Sequence, residues 1–488
     1  MPGPASMQED EHLLRQFGYE QELARRMSGF SNFAISFSII CILAGGITSF
    51  HVGLCSVGGA SIGLGWPLVC AFSLVVALTM AQVASAFPTA GGLYHWGSLL
   101  GGRACGWCTA WFNLCGLITV LAAINVGAWD FIVATFGLPA GMNPALAKTV
   151  ALVVLLGGQA ALNHYGIRWT TRITDFSGWL ILAISTILTV AVVLATSHFE
   201  WSRLWDFQNF SGHPSAAPVF PRQDNVFWLF CLGFLLPAYT ITGFDASAHT
   251  SEETVGAAVN VPRGIVRSVW VSAVFGWFMI VALLLAMPSI SEGVDQGAAV
   301  VPWVMKRSLP GWLAWPLLAG IAVAQVCCAL AALTSASRMM FAFARDGGLP
   351  FSRSLRTVNR RTQSPSIAVW TCAITCGAMI VLLRYETIAA IGTVFLYLSY
   401  VLPVAAGFFA YGRKWKRMGP WSLGGWYRPL AAIATLGCVF LLVLGVQPPN
   451  QQAVPVVGGM AVLMVIVWFG LERRRFRGPP VPEGDDRG

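Results

Sequence analysis

The chain has 488 residues, of which 56% are hydrophobic and 10% charged, and its mean hydropathy is +0.67. Soluble domains carry about 25% charged residues, so this composition excludes an ordinary soluble protein and leaves room for many spans of roughly 20 residues. The formal charge of +9 sits in short loops between apolar runs, which argues for topology signals rather than a nucleic-acid stripe.

In chain order, residues 1–30 read as a polar arm, without the apolar core of a cleaved signal peptide. Twelve apolar segments follow, near 31–54, 64–87, 105–135, 146–163, 174–196, 225–254, 265–287, 312–342, 366–383, 387–411, 428–446 and 454–471. The longer ones exceed a straight span, so tilt, breaks or extension beyond the bilayer are expected. Residues 472–488 read as a tail with no core. Most of the 30 Lys and Arg residues fall on the side of the arm and tail, which puts both termini in the cytoplasm. The twelve cysteines add little. Cys105-Gly-Trp-Cys108 lacks a second Cys/His pair at ligand spacing and opens an apolar run, so these thiols read as small hydrophobes. No cofactor or metal is implied.

Two segments carry interruption signals at matching places. The first contains Ala44-Gly45-Gly46-Ile47-Thr48-Ser49. The sixth contains Pro237 and then Thr242-Gly243-Phe244-Asp245. A helix interrupted inside a bilayer is tolerated where its freed backbone groups line an enclosed cavity. Segments one to five and six to ten have opposite orientations, and each set begins with an interrupted member. That is the pattern of an inverted repeat, 31–196 and 225–411, with helices eleven and twelve appended over 428–471. The fold class expected is therefore an all-α polytopic membrane protein with 12 transmembrane helices.

Three blocks narrow the class. Segment two ends in Ala81-Gln82-Val83-Ala84-Ser85-Ala86-Phe87-Pro88-Thr89-Ala90-Gly91-Gly92. Segment six continues through Phe244-Asp245-Ala246-Ser247-Ala248-His249-Thr250-Ser251-Glu252-Glu253-Thr254. Segment eight ends in Ser337-Arg338-Met339-Met340-Phe341-Ala342-Phe343-Ala344-Arg345-Asp346-Gly347. In this order they resemble the amino acid–polyamine–organocation (APC) superfamily of permeases, and the middle block resembles its γ-aminobutyrate (GABA) permease and choline transporter branch. The resemblance covers roughly residues 15–470. It implies the leucine-transporter-type fold and uptake of an amino acid or related amine across the plasma (bacterial inner) membrane, with a proton as the default coupling ion. Choline or polyamine transport and amino acid exchange are the nearer alternatives; a non-transporting nutrient sensor is a remote one. Many members carry glutamate where Gln82 stands and a lysine in segment five, which has none here. The resemblance thus supplies no proton carrier at either point. An enzyme is not expected, since neither a HExxH helix nor a Gly-x-Ser-x-Gly elbow is present.

The candidate substrate site comprises Ala44, Gly45, Gly46, Ile47 and Thr48 at the first break and Thr242, Gly243, Phe244 and Asp245 at the second. Freed N–H groups at the first suit a carboxylate; close packing of small residues is the competing reading. Freed carbonyls at the second suit an ammonium, with Phe244 over the solute or simply in the core. Asp245 has two readings: a cap on the inner half-helix, or contact with a substrate amine or proton. Asp245, His249 and Glu252 share a helical face at i, i+4, i+7. Glu252 and Glu253 read as a solvated helix end or as gate partners of Arg25, Arg26 or Arg168. Thr334, Ser335 and Ser337 read as a candidate sodium site or as hydroxyls bonded back to their own helix. Asn113 and Asn125 are polar at membrane depth, and Asp130 is expected near the outer surface.

Overall fold

The computed structural model describes residues 4–138, 141–383, 385–448 and 450–480. Among these the chain is all-helical, and its β contacts are the isolated bridges Met27–Thr254 and Tyr411–Trp415. Ten helical stretches are long and apolar enough to cross a membrane, and two shorter apolar helices cover Val226–Thr240 and Ser366–Leu382. Leu194, Trp179, Phe278, Ile374, Val381, Leu436 and Phe469 are exposed. So broad an apolar exterior is stable in hydrocarbon rather than in water.

The arm is not loose. Helix α1 (Pro4–Gln16) places Asp10 so that its carboxylate accepts the N–H groups of Gly256 (2.7 Å) and Ala257 (3.1 Å). It thereby satisfies orphan donors at the start of a later helix. Next come α2 (Gly29–Ile40), capped by Ser28, and α3 (Trp66–Ala86). Segment two stops at Phe87, and a separate helix, α4 (Leu93–Gly101), follows a turn with Gly92 at φ +47°. The remaining long helices of the first half are α5 (Arg103–Phe136), α6 (Pro144–His164) and α7 (Ile167–Ala195). Helix α7 starts well before the expected residue 174. Arg168 and Arg172 occupy its first turns, where charge can leave the apolar layer.

Segment six runs from Val226 through α8 (Leu235–Thr240) to a short α9 (Ala246–His249). Then come α10 (Ala257–Leu285), α11 (Gly311–Arg345), α12 (Ser366–Leu382), α13 (Tyr385–Ala410), α14 (Tyr427–Gly445) and α15 (Ala453–Val467). Helix α2 packs against α7, α10 and α11; α5 packs against α11 and α13. The interrupted segments are thus enclosed by long helices. Of the expected coreless tail, residues 481–488 lie outside the described residues. The nearer part is anchored: Phe476 is buried and its ring meets those of Tyr94 and Phe343. An aromatic side chain so placed contributes burial that the charged Arg473–Arg475 run conceals in sequence.

Candidate functional site: two broken helices around Asp245

Both interruptions are real and they abut. Helix α2 ends at Ile40, and Cys41 takes φ 28°, ψ 83°, a conformation that L side chains seldom adopt. Short turns Gly45–Thr48 and Phe50–Leu54 follow. The second break runs from Ile241 to Asp245, with Gly243 at φ +86°. A Cβ on Gly45 would lie 2.8 Å from Thr240 Cα, so glycine is what lets the two segments touch. Across the contact, Ser36 Oγ donates to Phe244 O (2.9 Å), and Asn32 Nδ2 donates to Ser247 O (2.9 Å).

The first break begins at Cys41, ahead of the Gly45-Gly46 pair. The N–H groups of Ala44 and Gly45 both donate to Cys41 O, at 2.7 and 3.0 Å, and are therefore occupied. Those of Gly46 and Ile47 carry no hydrogen bond among the described residues. Thr48 Oγ1 donates back to Ala44 O (2.8 Å), so its proton points along the chain. Of the expected cradle residues, Gly46 and Ile47 are thus the ones whose N–H groups stay free among the described residues. In the second break, Thr242 Oγ1 turns back toward Tyr239 O (3.5 Å). The N–H groups of Thr242, Phe244 and Asp245 have no partner among the described residues. Phe244 is buried, its ring 5.0 Å from that of Tyr400.

Asp245 is fully buried and caps nothing: no side-chain bond reaches the N–H groups of α9. Its carboxylate instead gathers donors from three helices. Tyr400 Oη on α13 donates to Oδ1 (2.8 Å), while Asn113 Nδ2 on α5 (2.9 Å) and His249 Nε2 (3.1 Å) meet Oδ2. Tyr400 Oη also accepts the N–H of Gly243 (3.0 Å). One phenol thereby ties the backbone of the break to its carboxylate. His249 Nδ1 and Asn113 Oδ1 are buried without partners among the described residues. Unpaired polar atoms beside a buried carboxylate are costly.

Asp245 and His249 do share a face, meeting at 3.1 Å, but Glu252 does not continue it, because α9 ends at His249 and a 3-10 turn covers Ser251–Glu253. Glu252 and Glu253 are not solvated; both are fully buried. Nor do they pair with Arg25, Arg26 or Arg168. Glu252 takes a two-pronged contact from Arg345 (2.8 and 3.0 Å) and the N–H of Ala90 (3.1 Å). Glu253 takes another from Arg338 (3.0 and 3.1 Å). Both arginines project from the last turns of α11, which brings their guanidinium forks within two-bond reach of the two carboxylates. Arg25 instead reaches Asp10 (3.5 Å) and Thr254 O (2.6 Å). Arg26 contributes its backbone N–H to Glu253 O (2.8 Å).

A second cluster closes the same end. Tyr19 and Tyr94 both donate to Asp346 Oδ2 at 2.7 Å, and Arg345 stacks over the Tyr19 ring at 3.8 Å. Burial raises the Asp346 pKa above the ordinary carboxylate value, partly opposed by Arg345 and the two phenols. Neither tyrosine stands out in the sequence.

The candidate sodium hydroxyls are partly committed. Thr334 Oγ1 bonds Asn163 Oδ1 and Leu330 O, both at 2.9 Å, and Ser337 Oγ donates to Thr334 O (2.8 Å). Ser335 Oγ is buried without a partner. The Arg338 guanidinium lies 3.1 Å from Ser337 Oγ, so a cation already occupies that neighbourhood. Gln82 is a structural tie, accepting the N–H of Leu423 (2.7 Å). Asn125 pairs with Gln159 (2.9 Å), and Asp130 with Lys148 (3.3 Å) in an exposed setting.

Broken helices enclosing a buried, multiply bonded carboxylate define an integral membrane protein with a transporter's architecture. Comparison of the sequence supports this class. The family model described as amino acid permease matches residues 27–471. The chain is 32% identical to the amino-acid permease BAT1 homolog of Oryza sativa, covering 96% of this chain and 94% of that one. It is also 32% identical to the amino-acid permease BAT1 of Arabidopsis thaliana, with 96% and 95% covered. It is 28% identical to the GABA-specific permease of Saccharomyces cerevisiae, with 98% and 87% covered. The chain belongs to the amino acid permease family of the APC superfamily; it is a transporter, not an enzyme.

Proposed function

We propose that the protein is a secondary active transporter that moves an amino acid, or a related amine such as GABA, by alternating access with proton coupling. The observation that carries this is Asp245, fully buried between two abutting helix breaks and bonded by Tyr400, Asn113 and His249. The substrate carboxylate meets the free N–H groups of Gly46 and Ile47. Its ammonium lies toward the Asp245 carboxylate cluster. Amino acid substrates are favoured because one site then offers both an anion cradle and a cation partner. A choline or polyamine would leave the cradle empty. The commitment of Thr334 and Ser337 and the nearness of Arg338 favour a proton over sodium.

In this reading twelve spans form two inverted five-helix units, 31–196 and 225–411, with the last two helices outside them. The pairing of α3 with α10 and of α5 with α11 supports the repeat, since each pair would relate equivalent members of the two halves. The arm and tail are cytoplasmic, in the plasma membrane. The Glu252–Arg345, Glu253–Arg338 and Asp346–Tyr19–Tyr94 contacts then form the inner gate. Purified protein in liposomes tests this. A panel of unlabelled amino acids and amines should compete with a labelled amino acid for uptake, and an inwardly directed proton gradient should accelerate it. Absence of uptake by any member of the panel would leave the sensor reading instead. Uptake that ignores the gradient but requires internal amino acid would make the protein an exchanger.

A further inference from the structure

A concave basic site lies beside the arm, away from the Asp245 cluster. A cavity of ≈ 260 Å³ is lined by Arg26, Arg168 and Arg361, with Tyr165, Trp169 and Thr362 among its other walls. None of its lining residues is acidic. The three guanidinium groups make no ion pair and no side-chain hydrogen bond among the described residues. Every other arginine near this end of the bundle that enters the gate has a carboxylate. The cavity also holds the start of α7, whose Gly166 cap supplies no side-chain acceptor and whose Ile167 and Arg168 N–H groups are unbonded. Thr362 Oγ1 is buried and has no hydrogen-bond partner among the described residues. Three exposed guanidinium groups without ion-pair partners, two N–H groups and a hydroxyl around one cavity form a donor set that suits an anion with several acceptor oxygens.

The setting selects the source of that anion. Tyr165 and Trp169 are both exposed at the cavity wall, and Arg172 lies 5.4 Å from the Trp169 ring centre. Tyr and Trp rings with adjacent arginines are found where a helix leaves the hydrocarbon. Helix α7 begins its apolar run from this point. Basic pockets between helices at that depth suit anionic headgroups. We propose that this cavity binds the phosphate of an anionic phospholipid headgroup.

Its walls give the binding a consequence. One wall is the arm, whose Arg26 and Met27 N–H groups both donate to Glu253 O at 2.8 Å. The opposite wall is the junction of residues 165–169 with 361–363, where a Cβ on Gly166 would lie 2.7 Å from Thr362 O. Behind that wall Asn163 receives Ser364 Oγ on its carbonyl (2.9 Å) and Arg338 on its side chain (3.3 Å). A headgroup spanning Arg26 and Arg361 therefore straps together the two sides that converge on the Glu253–Arg338 pair. This strapping role rests on the gate reading above; the binding itself does not.

The test uses the full chain, stripped of lipid in detergent and titrated with phosphatidylglycerol or phosphatidylcholine while bound lipid is counted by native mass spectrometry. The expected result is a tight phosphatidylglycerol site that phosphatidylcholine fills at least about tenfold more weakly. Each lost arginine should weaken it about fivefold, so R168Q/R361Q should weaken it about 25-fold. A second variant, Q363E, keeps all three arginines but adds a carboxylate to the wall, and should weaken it comparably. Size-exclusion profiles confirm that both variants are folded. Unchanged affinity in either folded variant, or equal affinity for the two lipids, overturns the proposal. Displacement of the lipid by millimolar inorganic phosphate also overturns it, by assigning the site to a soluble anion. None of these readouts depends on transport, so failure here leaves the transport reading standing.

Discussion

Replacing Asp245 by asparagine separates a structural carboxylate from a working one. The side chain keeps its shape, so its surroundings can be followed bond by bond. Asn113 Nδ2 and His249 Nε2 both face one oxygen of the carboxylate, which the amide oxygen of asparagine can replace. The amide nitrogen then faces Tyr400 Oη, which already accepts from Gly243 and can accept again on its second lone pair, while the Tyr400 hydroxyl proton loses the acceptor it had in Asp245 Oδ1 at a cost of about 1–3 kcal/mol. Three bonds to a charged group, worth about 1.5–3 kcal/mol each, become neutral bonds worth about 0.5–1.5 kcal/mol each. The burial penalty of the charge disappears at the same time and opposes that loss. The net change in stability should stay within about 2 kcal/mol. Uptake should fall more than about tenfold, equivalent to about 1.4 kcal/mol in the limiting step, because asparagine neither carries a proton nor balances an ammonium charge. Asp245→Ala is the contrasting variant. It leaves three buried donors unpaired at about 1–3 kcal/mol each and should lose stability and uptake together. Thermal melting of purified protein and initial uptake rates in liposomes, at matched protein amounts, measure both quantities. Uptake by Asp245→Asn within about twofold of the parent would refute the reasoning and make the cluster a structural brace.

Three further outcomes follow from the same geometry. Arg338 and Glu253 are both fully buried, so Glu253→Gln should destabilise by about 3–5 kcal/mol, and Arg338→Met with Glu253→Leu should recover much of that; melting of the single and double variants decides, and additive losses would show the two side chains are independent. Gly243 has φ +86°, and a Cβ there would overlap Ile39 Cγ2; Gly243→Ala should therefore cut uptake more than about tenfold through backbone strain of about 1–2 kcal/mol plus the clash, and near-parental uptake would mean the break relaxes freely. Asp346 has a pKa raised by burial, so it holds its proton more tightly in the closed arrangement than when released. The associated stabilisation is complete below the ordinary carboxylate value and is lost as pH rises through the raised one. Hydrogen exchange at residues 14–23 should thus show an arm that protects less as pH climbs through that window, and a flat or opposite profile would contradict the assignment.

The position of each break was visible in sequence, but its detail was not. Gly45-Gly46 and Pro237…Gly243 announce interruptions because glycine and proline act on the backbone locally. Cys41 carries the positive φ of the first break, and nothing in a cysteine signals that. Its conformation is held by the surrounding helices. The buried Glu252 and Glu253 pairs show the same division. Glu252 and Glu253 are recognisable in sequence as charges needing partners, but the sequence does not say which arginines at that end supply them: Arg25, Arg26 and Arg168 are as available there as Arg338 and Arg345. Selecting the partner requires knowing which side chains α11 delivers to the turn after α9.

What the sequence determined alone was the class of solvent, the approximate spans, the two breaks and the family resemblance. All of these depend on composition and on short-range backbone rules. His249, four residues along from Asp245, is within reach of the sequence pattern, but only the tertiary structure decided that Asn113 and Tyr400 also touch Asp245, because they come from helices 132 and 155 residues away. A buried charge is satisfied by whatever packing brings within about 3 Å, and hydropathy along a chain contains no information about distances across it.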